Sequence, residues 1–254
     1  MQARNLLVAL VLLVGLASRS DATLINFNSN NGSFHATTLV MNPGGTGSPW
    51  TYTTGSDCWG GQGCWLVVDY GNLSLQALNT PEFLATGPVV FSFDHTFNEE
   101  SDTRTAYDGG VVEISVNHGA FTDVVSRYGA FTGQTYTKPM SLDWSNPLPG
   151  RQVFGGVSSG GFGAFVTSSM TLPLSKGDEF QLRWVQGSDS GLTARVPNGW
   201  IVDNVNLDFG VGVAAPAHLQ APLAPAQVAP EPGSFVLAAA GIAMLALRRS
   251  LYSY

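Results

Sequence analysis

Four segments of the chain alternate between apolar and polar residues, which is the pattern of β-strands that bury one face. The segments are VVFSFDHTF at 89–97, VVEISV at 111–116, FQLRWV at 180–185 and WIVDNVNLDF at 200–209. In the first segment the alternation predicts a buried face made of Val89, Phe91, Phe93, His95 and Phe97. Because His95 alternates with phenylalanines, we interpret it as a histidine of the sheet or core.

The other three segments predict buried faces in the same way. These faces consist of Val112, Ile114 and Val116; of Phe180, Leu182 and Trp184; and of Ile201, Asp203, Val205, Leu207 and Phe209. Gly, Asn, Asp and Ser separate the segments, and residues 23–209 show no 3.6-residue helical pattern. Half-buried strands need a second sheet over their apolar faces. The pattern therefore predicts an all-β fold, an antiparallel β-sandwich over residues 23–209.

The N-terminal segment has the three parts of a secretory signal peptide. Arg4 precedes an unbroken apolar run, and small and polar residues follow that run. Ser20 and Ala22 fit the small-residue rule, so we expect a signal peptide over residues 1–22 that is cleaved after Ala22. An uncleaved anchor and a buried helix are the alternatives.

A second apolar run, at residues 234–247, precedes Arg248 and Arg249. As a helix it would be about 21 Å long against a hydrocarbon core of about 30 Å. Local thinning of the bilayer, with both arginines reaching the cytoplasmic headgroups, accommodates that length. The Ala- and Pro-rich linker at 210–229 separates the run from the body and argues against a buried terminal helix.

Pro230, Glu231 and Pro232, together with the apolar run and the two arginines, resemble a PEP-CTERM sorting signal over residues 230–254. Such signals occur on exported proteins of Gram-negative bacteria that make exopolysaccharide. The resemblance implies export by the Sec pathway, a transient anchor in the inner membrane, and cleavage by an exosortase near Pro-Glu-Pro. It also implies delivery to the cell surface or extracellular matrix. A permanent membrane protein that keeps its tail is the alternative.

The charge of the chain restricts its partners. The formal net charge is −7, only 11% of the residues are charged, and no basic stripe is present. Nucleic acid is therefore not expected as a partner.

Cys58 and Cys64 are the only cysteines, and three of the five residues between them are glycines. In an exported chain this spacing predicts a disulfide that closes a short loop. A zinc site would need further ligands nearby, and the surrounding sequence offers none.

Five motifs occur in the order of a known domain: FSFDHTFNEES, YDGGVVEISVNHGAF, LPGRQVFGG, FQLRWVQGSDSG and NGWIVDNVNL. They resemble the MAM-like jelly-roll domain that follows the protease domain of immune-inhibitor-A-type secreted metallopeptidases and occurs in other bacterial surface proteins. The resemblance covers about residues 58–207 and implies a jelly roll. The chain departs from the pattern at Cys64 and at Asn204, where the family usually has a second Asp. The Asn204 departure weakens the case for a fully acidic metal site.

The motifs of several enzyme classes are absent from the sequence. No histidine lies in His-Glu-x-x-His, and neither a Gly-x-Ser-x-Gly elbow nor a Glu-x-Asp-x-Glu strand is present. A structural calcium ion is the sharper possibility, because calcium prefers several oxygen ligands. The candidate ligands are Asp108, Glu113 and Asp203, with Asp94 and Glu100 nearby in the motifs. Alternatively, Asp108 caps a turn and Glu113 faces solvent.

Sugars usually bind on aromatic side chains, although most such residues pack in cores. The candidates are Trp59, Trp65, Trp144, Trp200, Tyr128 and Tyr136. We predict a non-catalytic exported surface or matrix protein whose sandwich binds a glycan or a surface protein, or has a structural role. A carbohydrate-active enzyme on a lectin-like sandwich is the alternative.

Overall fold

Two antiparallel sheets face each other in the computed structural model, which describes residues 20–41, 49–68, 72–143, 145–191 and 199–211. In chain order the strands are β1 (Ser20–Ile25), β2 (His35–Met41), β3 (Thr51–Thr54), β4 (Gly63–Val67), β5 (Ser74–Asn79), β6 (Phe83–Leu84), β7 (Val89–Asn98), β8 (Gly109–Val116), β9 (Thr122–Asp123), β10 (Thr132–Gly133), β11 (Lys138–Pro139), β12 (Gln152–Val153), β13 (Val166–Leu172), β14 (Glu179–Ser188) and β15 (Gly199–Val211). One short helix, α1 (Val124–Tyr128), follows β9.

The two sheets have different edges and share one core. The first sheet has the order β10-β13-β7-β15-β4-β3, and β1 also pairs with β15. The second has the order β2-β5-β14-β8-β9, and β6 also pairs with β14. Strands β11 and β12 form a separate pair. The predicted antiparallel jelly-roll sandwich is confirmed.

The space between the sheets is filled by aromatic rings. Phe91 and Phe93 of β7 lie 5.8 and 5.4 Å from Trp184 of β14, measured between ring centroids. The predicted inward faces of β7 and β14 are fully or almost fully buried, and so are Val112 and Ile114 of β8. Burial of this apolar surface is the main favourable term for folding.

Strand β15 contains an irregularity that simple alternation does not predict. Its pairing with β7 shifts register between Asp203 and Asn206, and Asn204 has a φ of 46°. Before this bulge Trp200 and Val202 face the main core, while Ile201 packs on the outer side. The predicted inward placement of Ile201 and Asp203 was therefore wrong, because one extra residue reverses the face that follows.

The outer face of the second sheet is covered by the segment that carries β11 and β12. Val111 and Val185 point outward as predicted, yet they are buried against Met140, Leu148 and Val153. This segment adds a small second apolar core, so strands β8 and β14 are buried on both faces.

Glu113 of β8 lies at the edge of this covered face and binds two arginines. Its Oε1 accepts from Arg151 Nη1 at 2.7 Å, and its Oε2 accepts from Arg183 Nε at 2.8 Å. The Glu113 side chain is only 8% exposed. The alternative that Glu113 faces solvent is therefore wrong.

Replacing Glu113 with glutamine is expected to lower the free energy of unfolding by about 2 kcal/mol, because the partly buried Arg183 loses its carboxylate partner and Arg151 keeps only Asp123. Chemical denaturation measures this change. Glu82→Gln is the matched control, since the Glu82 side chain is 59% exposed beside His118 and its ion pair is expected to contribute less than about 0.5 kcal/mol. Equal stability of the two variants would contradict a structural role for Glu113.

The ends of the sandwich include residues near the predicted processing sites. Ala22 lies in β1 opposite Asp208, and β15 extends to Val211. Cleavage after Ala22 would leave Thr23, Leu24 and Ile25 paired with β15. Within the described residues no helix has the length and apolar character needed to cross a membrane. The apolar run at 6–17, all but the first two residues of the linker at 210–229, and the sorting segment at 230–254 lie outside the described residues.

Candidate ligand groove

A groove of about 790 Å³ lies on the outer face of the first sheet. Leu66 of β4 and Ile201 of β15 are register partners and form its floor. Residues 56–60 form one wall, and residues 162–165 form the other. Its size is within the range of small-ligand sites, which are mostly apolar with a few polar groups at defined positions.

The first wall is held in place by the predicted disulfide. Cys58 and Cys64 are bonded, and both are buried against Ile201. Between them the chain makes a single 3-10 turn at Trp59–Gly61, in which Gly60 and Gly61 have φ values of 62° and 73°. These left-handed conformations favour glycine, which explains the Gly-Gly after Trp59. Closing so short a loop stabilises the folded chain by roughly 2 kcal/mol.

The second wall is a glycine-rich turn anchored on β7. The backbone N–H of Gly163 donates to Thr96 Oγ1 at 2.9 Å, and Thr96 Oγ1 lies 3.1 Å from Ser158 Oγ. Thr96 and Ser158 are both buried. This anchoring holds Phe162 and Phe165 at the rim of the groove.

Two aromatic rings meet at the mouth of the groove. The Trp59 and Phe165 ring centroids are 5.4 Å apart with an interplanar angle of 88°. Trp59 is 49% exposed, which is high for a tryptophan. The perpendicular rings form a corner that offers an exposed indole surface to a ligand.

Of the five predicted aromatic platforms that the structure describes, one lies in this groove. Trp65 and Trp200 are buried in the core, and Tyr136 donates to Asp123 from a position packed on Phe154. Tyr128 is half-buried at the end of α1, and Trp144 lies outside the described residues. Trp59 is therefore the candidate that the structure retains.

No protein-family model matches the chain, and no curated protein matches it. Solved structures with a similar fold include the K1 cleaved adhesin domain of Lys-gingipain from Porphyromonas gingivalis, with 15% identity and a TM-score of 0.40 over 74% of this chain and 98% of that one. The C-terminal CBM6 of a laminarinase from Zobellia galactanivorans is 13% identical, with a TM-score of 0.34 over 74% of this chain and 99% of that one. A CBM35 from Cellvibrio japonicus is 13% identical, with a TM-score of 0.32 over 77% and 96% of the two chains. At these TM-scores the similarities carry no argument about what this chain binds.

Two aspartates face each other beyond the floor of the groove. Asp203 is the register partner of Asp94, on the same face of the first sheet as Ile201. Asp94 accepts from Thr167 Oγ1 at 2.6 Å and from Asn204 Nδ2 at 3.0 Å. Asn204, which departs from the family pattern, thus supplies a donor to this carboxylate.

The pKa of Asp203 is raised to about 6. Burial and the nearby Asp94 raise this pKa, and backbone hydrogen bonds from Asn204 and Trp59 lower it. Asp203 is fully buried, and its Oδ2 atom has no hydrogen-bond partner among the described residues. A raised carboxyl pKa is a property of many general acids. However, a ligand in the groove does not contact Asp203, because that side chain has no exposed surface.

The three first candidates for calcium ligands do not form one site. Asp203 lies on the first sheet, whereas Glu113 lies on the second and is engaged by two arginines. Asp108 is five residues before Glu113, about 17 Å along an extended chain, and accepts from the Asp189 backbone N–H at 2.8 Å. Within the described ranges no group of three or more His, Cys, Asp or Glu side chains is arranged to hold a metal ion.

The interpretation of His95 as a core histidine is confirmed. Its ring is fully buried, and its Nδ1 accepts from Trp200 Nε1 at 3.0 Å. Its Nε2 therefore carries the proton and donates to Ser168 Oγ at 2.8 Å.

Phe162, Phe165, Leu66 and Ile201 were not predicted as site residues. The stretch GGFGAF at 160–165 carries two phenylalanines among glycines, where no alternation assigns them to a core. That pattern is the signal in the sequence that would have identified the second wall.

Proposed function

We propose that this chain is a non-catalytic exported protein, sorted by an exosortase to the cell surface or extracellular matrix, whose sandwich binds a glycan. The observation that carries the binding part is the groove with Trp59 exposed at its mouth. One face of a sugar ring presents mainly C–H groups, and such a face packs on an exposed aromatic ring.

The arrangement of the walls supports an extended ligand held by shape and stacking. The floor side chains are apolar, while Ser56 and Asp57 supply polar groups at one wall. A hydroxyl turned toward the floor would lose its hydrogen bonds to water, so a sugar would place its C–H face there. The polar rim would then set its orientation.

The absence of turnover is part of the proposal. Asp57 is the exposed carboxylate among the described lining residues, and Asp203, next to the floor, is fully buried and has no contact with a ligand. A hydrolase would need an exposed acid and a second carboxylate or water on opposite sides of the bond that breaks. Release of reducing ends from a bound polysaccharide would favour the alternative, a carbohydrate-active enzyme.

The export and sorting parts rest on the two ends of the sequence. Mass spectrometry of the product from the native organism is expected to find Thr23 at the N-terminus and loss of the segment that follows Pro-Glu-Pro at 230–232. Full-length chain in the cytosol would contradict both parts. Mature chain that keeps residues 233–254 in the inner membrane would favour a permanent membrane protein.

Replacing Trp59 with alanine is expected to weaken retention on a glycan array at least tenfold, because the mouth of the groove loses its indole surface. Leu84→Ala is the matched control. Leu84 is 52% exposed, close to the exposure of Trp59, but it lies on β6 of the second sheet. Circular dichroism and thermal melting check that both variants fold.

The two variants separate the groove from other surfaces. Loss of binding in the Trp59 variant alone supports the groove as the site. Equal retention of both variants would place the glycan elsewhere and overturn the assignment.

A further inference from the structure

Among the described residues, the charges around the groove have one sign. Asp57 is the ionisable side chain among the described residues that line it, and its carboxylate is exposed at the first wall. Asp94 and Asp203 lie on the same outer face of the first sheet, next to the floor. Approaching ligands therefore meet negative charge at the rim and an apolar floor below it.

Basic side chains of the described residues are placed elsewhere. Arg183 lies on β14 of the second sheet, and Arg151 lies in the segment that covers this sheet. Glu113 pairs with both arginines, and Asp123 also pairs with Arg151. Lys138 donates to the backbone carbonyl of Asp102, and Arg127 lies over the Tyr128 ring at the end of α1. None of these four residues lines the groove.

We infer that the glycan bound in the groove is uncharged, and that the groove rejects chains that carry uronate or sulfate groups. This inference rests on the proposed function and names its ligand class. A carboxylate or sulfate beside Asp57 meets like charge, with no described basic side chain in the lining to compensate. The formal net charge of −7 adds a weaker, salt-screened repulsion to the same effect.

The test uses one array that carries neutral oligosaccharides and uronate- or sulfate-bearing oligosaccharides of matched length. The mature chain, with its processed ends, is expected to bind neutral glycans at protein concentrations at least tenfold lower than those needed to bind acidic glycans. Replacing Asp57 with asparagine is expected to raise the affinity for acidic glycans about threefold to tenfold at low salt. The readout is the ratio of retention on acidic to neutral glycans, since Asp57 also belongs to the polar rim that orients a neutral glycan.

A charge-matched control separates the local effect of Asp57 from the net charge. Glu82→Gln also removes one negative charge, but Glu82 precedes β6 of the second sheet. This control is expected to leave the preference for neutral glycans unchanged. An equal gain in both variants would assign the preference to net charge and overturn the inference.

The outcomes distinguish the inference from the function on which it rests. If the chain binds acidic and neutral glycans equally well through Trp59, the inference is overturned and the glycan-binding function stands. If no glycan of either class is retained, the glycan-binding function itself is overturned.

Discussion

Replacing Gly110 with alanine is expected to lower the free energy of unfolding by at least about 3 kcal/mol, because the core has no room for a methyl group. A Cβ atom at this position would lie 2.1 Å from Cζ3 and 2.4 Å from Cε3 of Trp200. Trp200 is fully buried, packs on Trp50 and Phe154, and donates to His95. Neither ring nor strand moves without breaking other contacts.

Thermal and chemical denaturation measure this effect. A loss of 3 kcal/mol corresponds to a fall in Tm of at least about 6 °C for a domain of this size. Gly87→Ala is the control, because a Cβ at Gly87 meets no atom within 4 Å. It is expected to change the free energy of unfolding by less than about 1 kcal/mol.

A double variant tests the cause. Trp200→Phe removes part of the indole that a Cβ at Gly110 would strike, so the double variant is expected to be less destabilised than the sum of its single variants. Strict additivity would show that the clash with Trp200 is not the reason for the glycine.

His95 is expected to lower the free energy of unfolding by about 1.4 kcal/mol for each pH unit that the pH falls between 6 and 4. Replacing His95 with glutamine is expected to remove this loss. Burial lowers the pKa of His95 from its ordinary value of 6.5 to about 3. Between these pH values the unfolded chain binds a proton that the folded chain does not. The free energy of unfolding therefore falls as the pH falls, and the contribution is fully present above pH 6.5.

Asp203 acts in the opposite direction. Burial raises its pKa from the ordinary value of 3.8 to about 6, so between these pH values the folded chain binds a proton that the unfolded chain lacks. Its contribution to the free energy of unfolding rises as the pH falls and is lost as the pH rises through 6. In the wild-type chain the two effects largely cancel between pH 6 and 4.

Urea denaturation at pH 4, 5, 6 and 7 separates the two groups. Relative to the wild type, the His95→Gln variant should become more stable toward acid, whereas Asp203→Asn should become less stable. Differences between variants cancel the contribution of other carboxylates, such as Asp102, whose pKa is lowered to about 2 by backbone hydrogen bonds from Thr105 and Arg104. Parallel curves for all three chains would contradict this assignment.

The regular part of the fold is predictable because its signal is local. Strand β7 alternates without interruption, and Phe91, Phe93 and Phe97 are all fully buried. The disulfide follows from the short spacing of the only two cysteines. Neither inference needs knowledge of distant contacts.

The bulge in β15 and the covered face of β8 are not local signals. Asn204 adopts a left-handed conformation and its side chain binds Asp94, which is 110 positions away in the chain. The alternation of β8 predicts that Glu113 faces solvent. In the structure it binds Arg151, which comes from the segment that covers the second sheet. Periodicity assigns faces only as far as the register is unbroken.

The groove combines both kinds of signal. Trp59 is marked in the sequence by its place between a cysteine and two glycines, yet Phe162 and Phe165 come from a turn about 100 residues later. Only the pairing of β4, β15 and β7 brings these walls together. The Trp59–Phe165 corner is therefore a result of the tertiary structure.

Hydrogen–deuterium exchange of the mature chain, with and without a saturating glycan selected on the array, tests the central claim most directly. The account predicts new protection of backbone amides at residues 56–60 and 162–165, on the outer face of the first sheet, with little change elsewhere. Protection centred on the segment that covers the second sheet, at residues 136–154, would contradict it.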